Sequence, residues 1–190
     1  MMTASPVLAD RLWTSTHQNQ WMRYGILMIL GSLLIALSAQ IKVPMYPVPM
    51  SMQTFAVLLI GATYGSRLGA ATVILYLIEG ALGLPVFAGG AAGLAVLKGY
   101  TAGYLAGFVL AAAAIGFLVE KGAARAPITL GLSVAFGIAL IFGPGVTWLA
   151  SSIGLEKAIA GGFVPFILGD LLKGALVVTI VSGTMKYLNR

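Results

Sequence analysis

The sequence predicts an all-α integral membrane protein, and three observations support this prediction. Of the 190 residues, 59% are hydrophobic and 8% are charged, whereas a soluble domain carries about a quarter charged residues. Uncharged apolar stretches recur along the chain, and a bilayer-spanning helix takes about 20 such residues. The eleven lysines and arginines are scattered singly, so the chain has no basic patch of the kind that binds nucleic acid. Six spans fit this length, with no room for a second domain.

The first 20 residues are predicted to form a cytosolic N-terminal tail, followed by a single six-helix transmembrane domain over residues 21–190. The tail is polar and lacks a small-residue cleavage site, which argues against a signal peptide. Ordered structure is therefore expected to begin near Trp21. The single histidine, His17, lies in this tail without partner residues, and we expect it to be exposed to solvent. The absence of cysteine excludes disulfides and thiol chemistry.

Charged residues and helix breakers bound the six predicted spans. Gly143-Pro144-Gly145 is expected to end or kink the fifth span, because proline removes a helical N–H donor. In chain order, the spans lie between Arg23 and Lys42, between Pro49 and Arg67, from about Leu68 to Leu84, between Lys98 and Glu120, after Pro127, and from about Phe163 to Met185.

The distribution of basic residues predicts the orientation of the chain, since cytoplasmic connections are enriched in lysine and arginine. With the N-terminus inside, Lys173 lies within a span and the other ten basic residues divide seven to three. The inner face then holds Arg11, Arg23, Arg67, Lys121, Arg125, Lys186 and Arg190, and the outer connections hold Lys42, Lys98 and Lys157. Both termini are therefore predicted to be cytoplasmic.

The three predicted outer connections are apolar and rich in proline or glycine. They are residues 42–51, 84–98 and 150–162. Irregular backbone of this kind cannot face lipid, so we expect it to fold over a protein cavity. This predicts an outward-facing ligand pocket capped by loops. The alternative is that these segments rest on the lipid headgroups.

Small residues recur at a spacing that lets helices approach closely in lipid. Gly61, Gly65 and Gly69 form one such series, and Gly99, Gly103 and Gly107 form another. For both, packing within the protein is the favoured interpretation. A weaker stripe of Ser32, Ala36 and Ala39 could pack internally or receive another membrane subunit.

The strongest candidate for a functional site is Gly169-Asp170-Leu171-Leu172-Lys173 in the last predicted span. A charge at bilayer depth costs about 2.5–3.5 kcal/mol on insertion scales, so it calls for a partner or an aqueous cavity. Asp170 and Lys173 share a helix face, about 10 Å inside the span if the helix enters near Phe163. Ligand binding is favoured over a structural ion pair. Glu79 is expected to reach the interface from a helix end rather than to bind a ligand.

Other residues are candidates to complete the pocket. Gln53 follows the proline-rich connection, and Tyr104 follows Gly103. Phe87, Gly89 and Gly90 lie in the second outer connection. Aromatic walls supply apolar contact, and glycine lets the backbone approach a ligand.

Missing motifs restrict the mechanism. The sequence contains no P-loop, no H-E-x-x-H helix and no G-x-S-x-G elbow. A transport function would therefore need another component to supply energy. Two further hypotheses remain open: an intramembrane enzyme that uses Asp170 as a general base, and a structural membrane subunit without a ligand.

Four motifs in order resemble the BioY family, the biotin-specific substrate-binding subunits of energy-coupling-factor (ECF) vitamin transporters. These motifs are Val48–Thr54, Gly83–Gly90, Thr101–Phe108 and Gly169–Lys173. The resemblance implies a six-helix bundle in the bacterial inner membrane that captures biotin from outside. A sister subunit for thiamine or riboflavin is the alternative within the same class.

The resemblance also implies ligand contacts and partners. The ureido N–H groups of biotin would donate to Asp170, and its carboxylate would pair with Lys173 or, in reserve, Lys98. A transmembrane coupling (T) subunit and two cytosolic ATPases of the ABC type would drive uptake. No cofactor is implied, because biotin is the transported ligand.

Overall fold

The computed structural model describes residues 7–13 and 19–188, which are predominantly α-helical. His17 lies outside the described residues. Short 3₁₀ turns lie at Val96–Lys98, Ala123–Arg125 and Val164–Phe166. The α-helices are α1 (Leu8–Leu12), α2 (Gln20–Gln40), α3 (Gln53–Tyr64), α4 (Ser66–Ala81), α5 (Ala102–Glu120), α6 (Pro127–Ile153), α7 (Leu155–Gly162) and α8 (Ile167–Leu188).

A two-residue β pair interrupts the helical pattern between α2 and α3. Strand β1 (Lys42–Val43) pairs antiparallel with β2 (Met50–Ser51), so that Lys42 lies opposite Ser51. The proline-rich segment between the strands forms the loop of this hairpin. The hairpin fixes where α3 begins, two residues after β2 ends.

Four helical stretches in the described part of the chain are long and apolar enough to cross a bilayer. They are Gln20–Gln40, Ala102–Glu120, Pro127–Ile153 and Leu155–Leu188. The helices α3 and α4 have 12 and 16 residues, which correspond to about 18 and 24 Å, less than the roughly 30 Å of a hydrocarbon core. The prediction of an all-helical membrane protein is thus confirmed, although these two helices are shorter than expected.

Helix α3 lies at the centre of the molecule. It contacts α2, α4, α5, α6 and α8, and most of its residues are buried, including Ala56, Val57, Leu58 and Ile60. A helix surrounded by other helices is not exposed to lipid along its length, so it can be shorter than the bilayer is thick. The beginning of α3 lies beneath the hairpin, where the candidate site is found.

Close packing of α5 against α6 depends on glycine, as the spacing predicts. A Cβ at Gly107 would lie 2.7 Å from Ile141 Cα and 2.8 Å from the Leu140 carbonyl oxygen. Gly103 lies against Pro144 in the same way. On another side of α5, Gly61 of α3 packs against the Ala112 backbone. Both glycine series therefore contain positions that pack within the protein.

The fifth span does not end at Gly143-Pro144-Gly145. Instead, α6 runs without interruption from Pro127 to Ile153 and has Pro144 in its interior. Ending a helix inside a membrane would leave several backbone groups without partners, whereas proline removes one donor. The continuous helix is therefore the less costly arrangement.

The third predicted outer connection is also mostly helical, which corrects the expectation of irregular backbone over residues 150–162. Helix α6 extends to Ile153, and α7 follows after a single residue, Gly154. Gly154 has φ of +86°, a conformation that favours glycine and allows the chain to turn between the two helices. This connection thus satisfies its backbone hydrogen bonds internally.

The N-terminal segment contains a short helix, so the expectation that ordered structure begins near Trp21 is wrong. Leu8 and Ala9 of α1 are buried, and α1 packs against α3. Asp10 forms an ion pair with Arg23 of α2, with 2.7 Å between Oδ1 and Nη2. The apolar pair Leu8 and Ala9 within a polar segment was too short a signal to predict this helix.

The small-residue stripe on α2 packs within the protein. Ser32 and Ala39 are buried, Ala36 is partly buried, and α2 contacts α4 along this side. Glu79, near the end of α4, accepts a hydrogen bond from Ser32 Oγ at 3.0 Å. Internal packing is therefore the correct choice between the two interpretations left open for this stripe.

Candidate ligand-binding site

A cavity of about 200 Å³ lies at one end of the bundle, where the hairpin and the α4–α5 connection meet. Its walls come from the hairpin loop, the α4–α5 connection, and helices α3, α5, α6 and α8. The lining residues are Val48, Pro49, Ser51, Gln53, Thr54, Phe87, Ala88, Ala91, Val96, Thr101, Tyr104, Leu105, Phe108, Ile141, Phe142, Phe166 and Asp170.

The connections contact one another above this cavity. The rings of Tyr46 and Tyr100 meet edge to face with their centroids 6.4 Å apart. Gly161 of α7 lies against Pro47, so α7 also reaches the hairpin loop. These contacts join the three connections at this end of the bundle, although no residue of 150–162 lines the cavity itself.

Asp170 supplies a buried carboxylate in the cavity wall. It lies in the first turn of α8, where the helix dipole favours a negative charge, and it is 2% exposed. Lys173 Nζ donates to Asp170 Oδ1 at 2.6 Å and to the Ser51 carbonyl oxygen at 2.7 Å. Lys173 therefore contacts Asp170 from outside the cavity wall, and its bond to Ser51 links α8 to the hairpin. Asp170 Oδ2 has no protein partner among the described residues.

Gln53 begins α3 and presents its side-chain amide beside the cavity. Its Nε2 donates to the Tyr76 hydroxyl at 2.5 Å, and its Oε1 accepts from Ser51 Oγ at 2.9 Å. Thr54 lies next to it in the cavity wall. The polar groups of the cavity are thus concentrated where β2, α3 and α8 meet.

Aromatic side chains form much of the remaining wall. Phe142 meets Tyr104 edge to face at 6.1 Å and Phe166 at 6.2 Å. The Tyr104 hydroxyl donates to the Gly162 carbonyl oxygen at 2.8 Å, which ties α5 to the end of α7. Phe87 stacks edge to face on Tyr76 at 5.5 Å, over Gly80, where a Cβ would overlap the ring. These contacts fix the wall through packing and leave an apolar surface.

The seven predicted site residues fall into three groups. Asp170, Gln53, Tyr104 and Phe87 line the cavity. Lys173 contacts Asp170 from behind and is not part of the wall. Gly89 and Gly90 also lie outside the wall, whereas their neighbours Ala88 and Ala91 line it.

Gly89 and Gly90 have a conformational role. Their φ angles are +73° and +76°, which a residue with a side chain rarely adopts. Gly89 also lies directly against Lys42 Nζ, so that a Cβ would overlap the ammonium group. Lys42 is consequently held beside the cavity loop; Lys42 and Lys98 are both exposed, and neither lies in the wall.

Several lining residues were not predicted from the sequence. Phe108, Phe142 and Phe166 occur in apolar runs, where nothing distinguishes a cavity wall from lipid-facing or core positions. Ser51 could have been found, since a polar residue beside Gln53 after a proline-rich connection is a local signal of a binding loop. No lysine or arginine of residues 7–13 and 19–188 lies in the cavity wall.

The fold and site define a multi-pass helical membrane protein with a small cavity of mixed polar and aromatic character. A model of the BioY family matches residues 10–190. The chain belongs to the BioY family.

Named relatives and a solved structure agree with this assignment. The chain is 41% identical over 156 residues to the biotin transporter BioY of Thermotoga maritima, covering 82% of this chain and 90% of the relative. It is 38% identical over 149 residues to the probable biotin transporter BioY of Pyrococcus horikoshii, covering 78% and 88%. A crystal structure of the S-component for biotin from an ECF-type ABC transporter superposes with a TM-score of 0.81 at 26% identity, covering 90% of this chain and 95% of that one.

Proposed function

We propose that this protein captures biotin as the substrate-binding subunit of an ECF-type transporter. The observation that carries the proposal is the cavity wall itself, in which the buried Asp170 carboxylate lies among aromatic side chains in a chain of the BioY family. The proposed role is binding for uptake and not catalysis. Biotin is the ligand in this proposal, and no cofactor takes part.

The chemistry of biotin complements the cavity. Its ureido ring carries N–H donors that suit Asp170 Oδ2, because an ionised carboxylate only accepts hydrogen bonds. Its thioether ring and aliphatic chain suit walls formed by residues such as Phe87, Tyr104 and Phe142. Asp170, Gln53, Tyr104 and Phe87 are therefore proposed as ligand contacts.

The carboxylate of biotin needs a cation at the other end of the ligand. Lys173 touches Asp170, so it lies at the ureido end and supports Asp170 there. Lys42 is held against Gly89, beside the lining residues Ala88 and Ala91, and is therefore better placed for the carboxylate than Lys98. The role first expected of Lys173 is therefore assigned to Lys42 in this proposal.

The proposed topology has six crossings, by α2, α3, α4, α5, α6 and α8. The short helix α3 is surrounded by longer helices, α4 packs against α2 and α5, and the two are joined at Gly65, so they cross as a pair. The seven-to-three division of basic residues supports cytoplasmic termini. The cavity then opens outward, and the tail with α1 lies at the cytosolic side of one transmembrane domain.

Uptake by this mechanism needs partners. The sequence contains no P-loop, so another chain has to hydrolyse ATP. We assign this role to two cytosolic ATPases of the ABC type, joined through a transmembrane coupling (T) subunit in the bacterial inner membrane. The crystal structure that superposes on this chain is of an S-component from an ECF-type ABC transporter, which supports this assembly.

Calorimetric titration of the purified protein tests the proposal. We expect saturable binding of biotin with one site, and no binding of thiamine or riboflavin at the same concentrations. Biotin should also raise the thermal midpoint, because a ligand that binds the folded state stabilises it. Binding of thiamine or riboflavin without biotin would indicate a sister subunit, and chemical change of the recovered biotin would indicate an enzyme.

A further inference from the structure

The side-chain amide of Gln53 is held by a hydrogen-bond relay that reaches outside the cavity wall. Gln53 Nε2 contacts the Tyr76 hydroxyl, and this hydroxyl contacts the Val86 carbonyl oxygen at 3.1 Å. Tyr76 is fully buried and does not line the cavity. It can therefore influence a ligand only through the residues that it holds.

The relay permits one orientation of the Gln53 amide. The Val86 carbonyl only accepts, so the single hydroxyl hydrogen of Tyr76 is used there. At its other contact Tyr76 must accept, which requires the NH₂ group of Gln53 rather than its oxygen. On the opposite side, Ser51 Oγ accepts from the Gln53 backbone N–H at 3.3 Å and donates to Gln53 Oε1 at 2.9 Å. Both ends of the amide are thus fixed consistently.

One N–H of Gln53 is left over after these bonds. The NH₂ group has two hydrogens, and in the described part of the chain the Gln53 side chain makes no other hydrogen bond than those to Tyr76 and Ser51. Gln53 lines the same cavity as Asp170. The cavity therefore presents a fixed donor from Gln53 and a free acceptor at Asp170 Oδ2.

We propose that Tyr76 is a positioning residue that sets ligand specificity by holding the Gln53 amide with its N–H toward the cavity. The inference rests on the proposed function. The ureido carbonyl of biotin accepts from Gln53 while a ring N–H donates to Asp170. A ligand with a donor in place of the ureido oxygen meets the Gln53 N–H and is rejected, because two donors face each other in a buried site.

The test compares biotin with 2-iminobiotin near neutral pH, where the protonated guanidinium group of the analogue has only N–H donors in place of the ureido oxygen. Both dissociation constants are measured at one pH for the wild type and for Tyr76→Phe, which removes only the hydroxyl. Without the relay the Gln53 amide can turn its oxygen to the analogue. We expect the ratio of the iminobiotin to the biotin dissociation constant to fall about tenfold. Ser51→Ala, which removes the second restraint, should lower the same ratio.

Tyr64→Phe is the matched control, since Tyr64 lies at the far end of α3 outside the cavity wall. It should leave both constants unchanged. A purely structural role for Tyr76 would weaken both ligands alike, and an unchanged ratio in the folded variant overturns the inference. Should Tyr76→Phe not fold, Gln53→Leu replaces it, because this variant lacks the donor that Tyr76 is proposed to orient; an unchanged ratio in Gln53→Leu overturns the inference. Failure of the wild type to bind biotin would overturn the proposed function itself. Binding of biotin with an unchanged ratio would overturn only the inference about Tyr76, so the two failures are distinguishable.

Discussion

Asp170 and Lys173 show how a costly pair of charges can serve a site inside a membrane protein. Lys173 uses one hydrogen on Asp170 Oδ1 and another on the Ser51 carbonyl, so two of the three ammonium hydrogens are paired within the protein. Asp170 lines the cavity, and its other carboxylate oxygen has no partner among the described residues. The pair therefore provides a ligand acceptor without leaving an isolated charge in the low-dielectric interior.

Replacing Asp170 with Asn should weaken biotin binding by about 10- to 100-fold. The reason is that hydrogen bonds to a charged group contribute roughly 1.5–3 kcal/mol. Asn retains an oxygen that can accept from Lys173, so the protein should still fold. Calorimetric titration of the folded variant measures the effect.

Asp10→Asn is the matched control for this substitution. It alters an ion pair with Arg23 at the end of α3 away from the cavity, and biotin affinity should be unchanged. Wild-type affinity in folded Asp170→Asn would show that the carboxylate pairs only with Lys173 and does not contact the ligand.

Replacing Lys42 with Ala tests the proposed carboxylate contact. Because Lys42 is exposed, we expect a loss of only about two- to fivefold in biotin affinity. Biotinamide, in which an uncharged amide replaces the carboxylate, should bind Lys42→Ala and the wild type equally well. Lys157→Ala, on the exposed side of α7, should affect neither ligand. A selective loss in Lys98→Ala but not in Lys42→Ala would assign the contact to Lys98 instead.

At the residue scale, the sequence could predict those side chains whose presence in a membrane is costly. Asp170 and Lys173 were found in this way and Gln53 from its position after the proline-rich connection, and the structure brings all three to one place. Tyr76 and Phe142 could not be found, since an aromatic residue in an apolar helix is equally compatible with core, cavity or lipid. Lys42 could not be assigned because its position beside Gly89 depends on how two distant loops pack.

At the element scale, the close approach of α5 and α6 gives a direct test of packing. Gly107→Ala should destabilise the protein by about 1–3 kcal/mol, because the new methyl group would meet α6 backbone that cannot move away. The thermal midpoint of the purified protein should fall by several degrees.

Gly143→Ala is the matched control within α6. Nothing lies within 4 Å of a Cβ at this position, and alanine favours a helix over glycine by about 1 kcal/mol. This variant should be as stable as the wild type or more stable. Equal destabilisation by the two substitutions would contradict the packing account.

The elements themselves were predictable where one local property decided them. Long uncharged runs identified α2, α5, α6 and α8, and glycine spacing predicted close packing of α5, whose partner α6 only the structure identifies. Pro144 was misleading, because its local preference to end a helix is outweighed by the cost of unpaired backbone in lipid. Helix α7 was missed because glycines at both of its ends are typical of a loop.

At the scale of the whole molecule, topology determines whether the cavity is accessible from outside. The proposed arrangement places Lys157 of α7 outside, at the cavity end of the bundle, and Lys121 at the opposite end of α5 inside. Both residues are exposed. Since the sequence contains no cysteine, a single introduced cysteine reports its own location without background.

In intact cells, Lys157→Cys should react with a membrane-impermeant maleimide, whereas Lys121→Cys should react only after permeabilisation. This follows from the positive-inside distribution of the basic residues. The opposite pattern would invert the molecule and place the cavity on the cytoplasmic side. Labelling of both sites in intact cells would contradict the proposed number of crossings.

The most direct test of the central claim is an experimental structure of the protein saturated with biotin. The account predicts one biotin molecule in the cavity, with a ureido N–H donating to Asp170 and the ureido oxygen accepting from Gln53. An empty cavity at saturating biotin, or a ligand bound elsewhere, would contradict it.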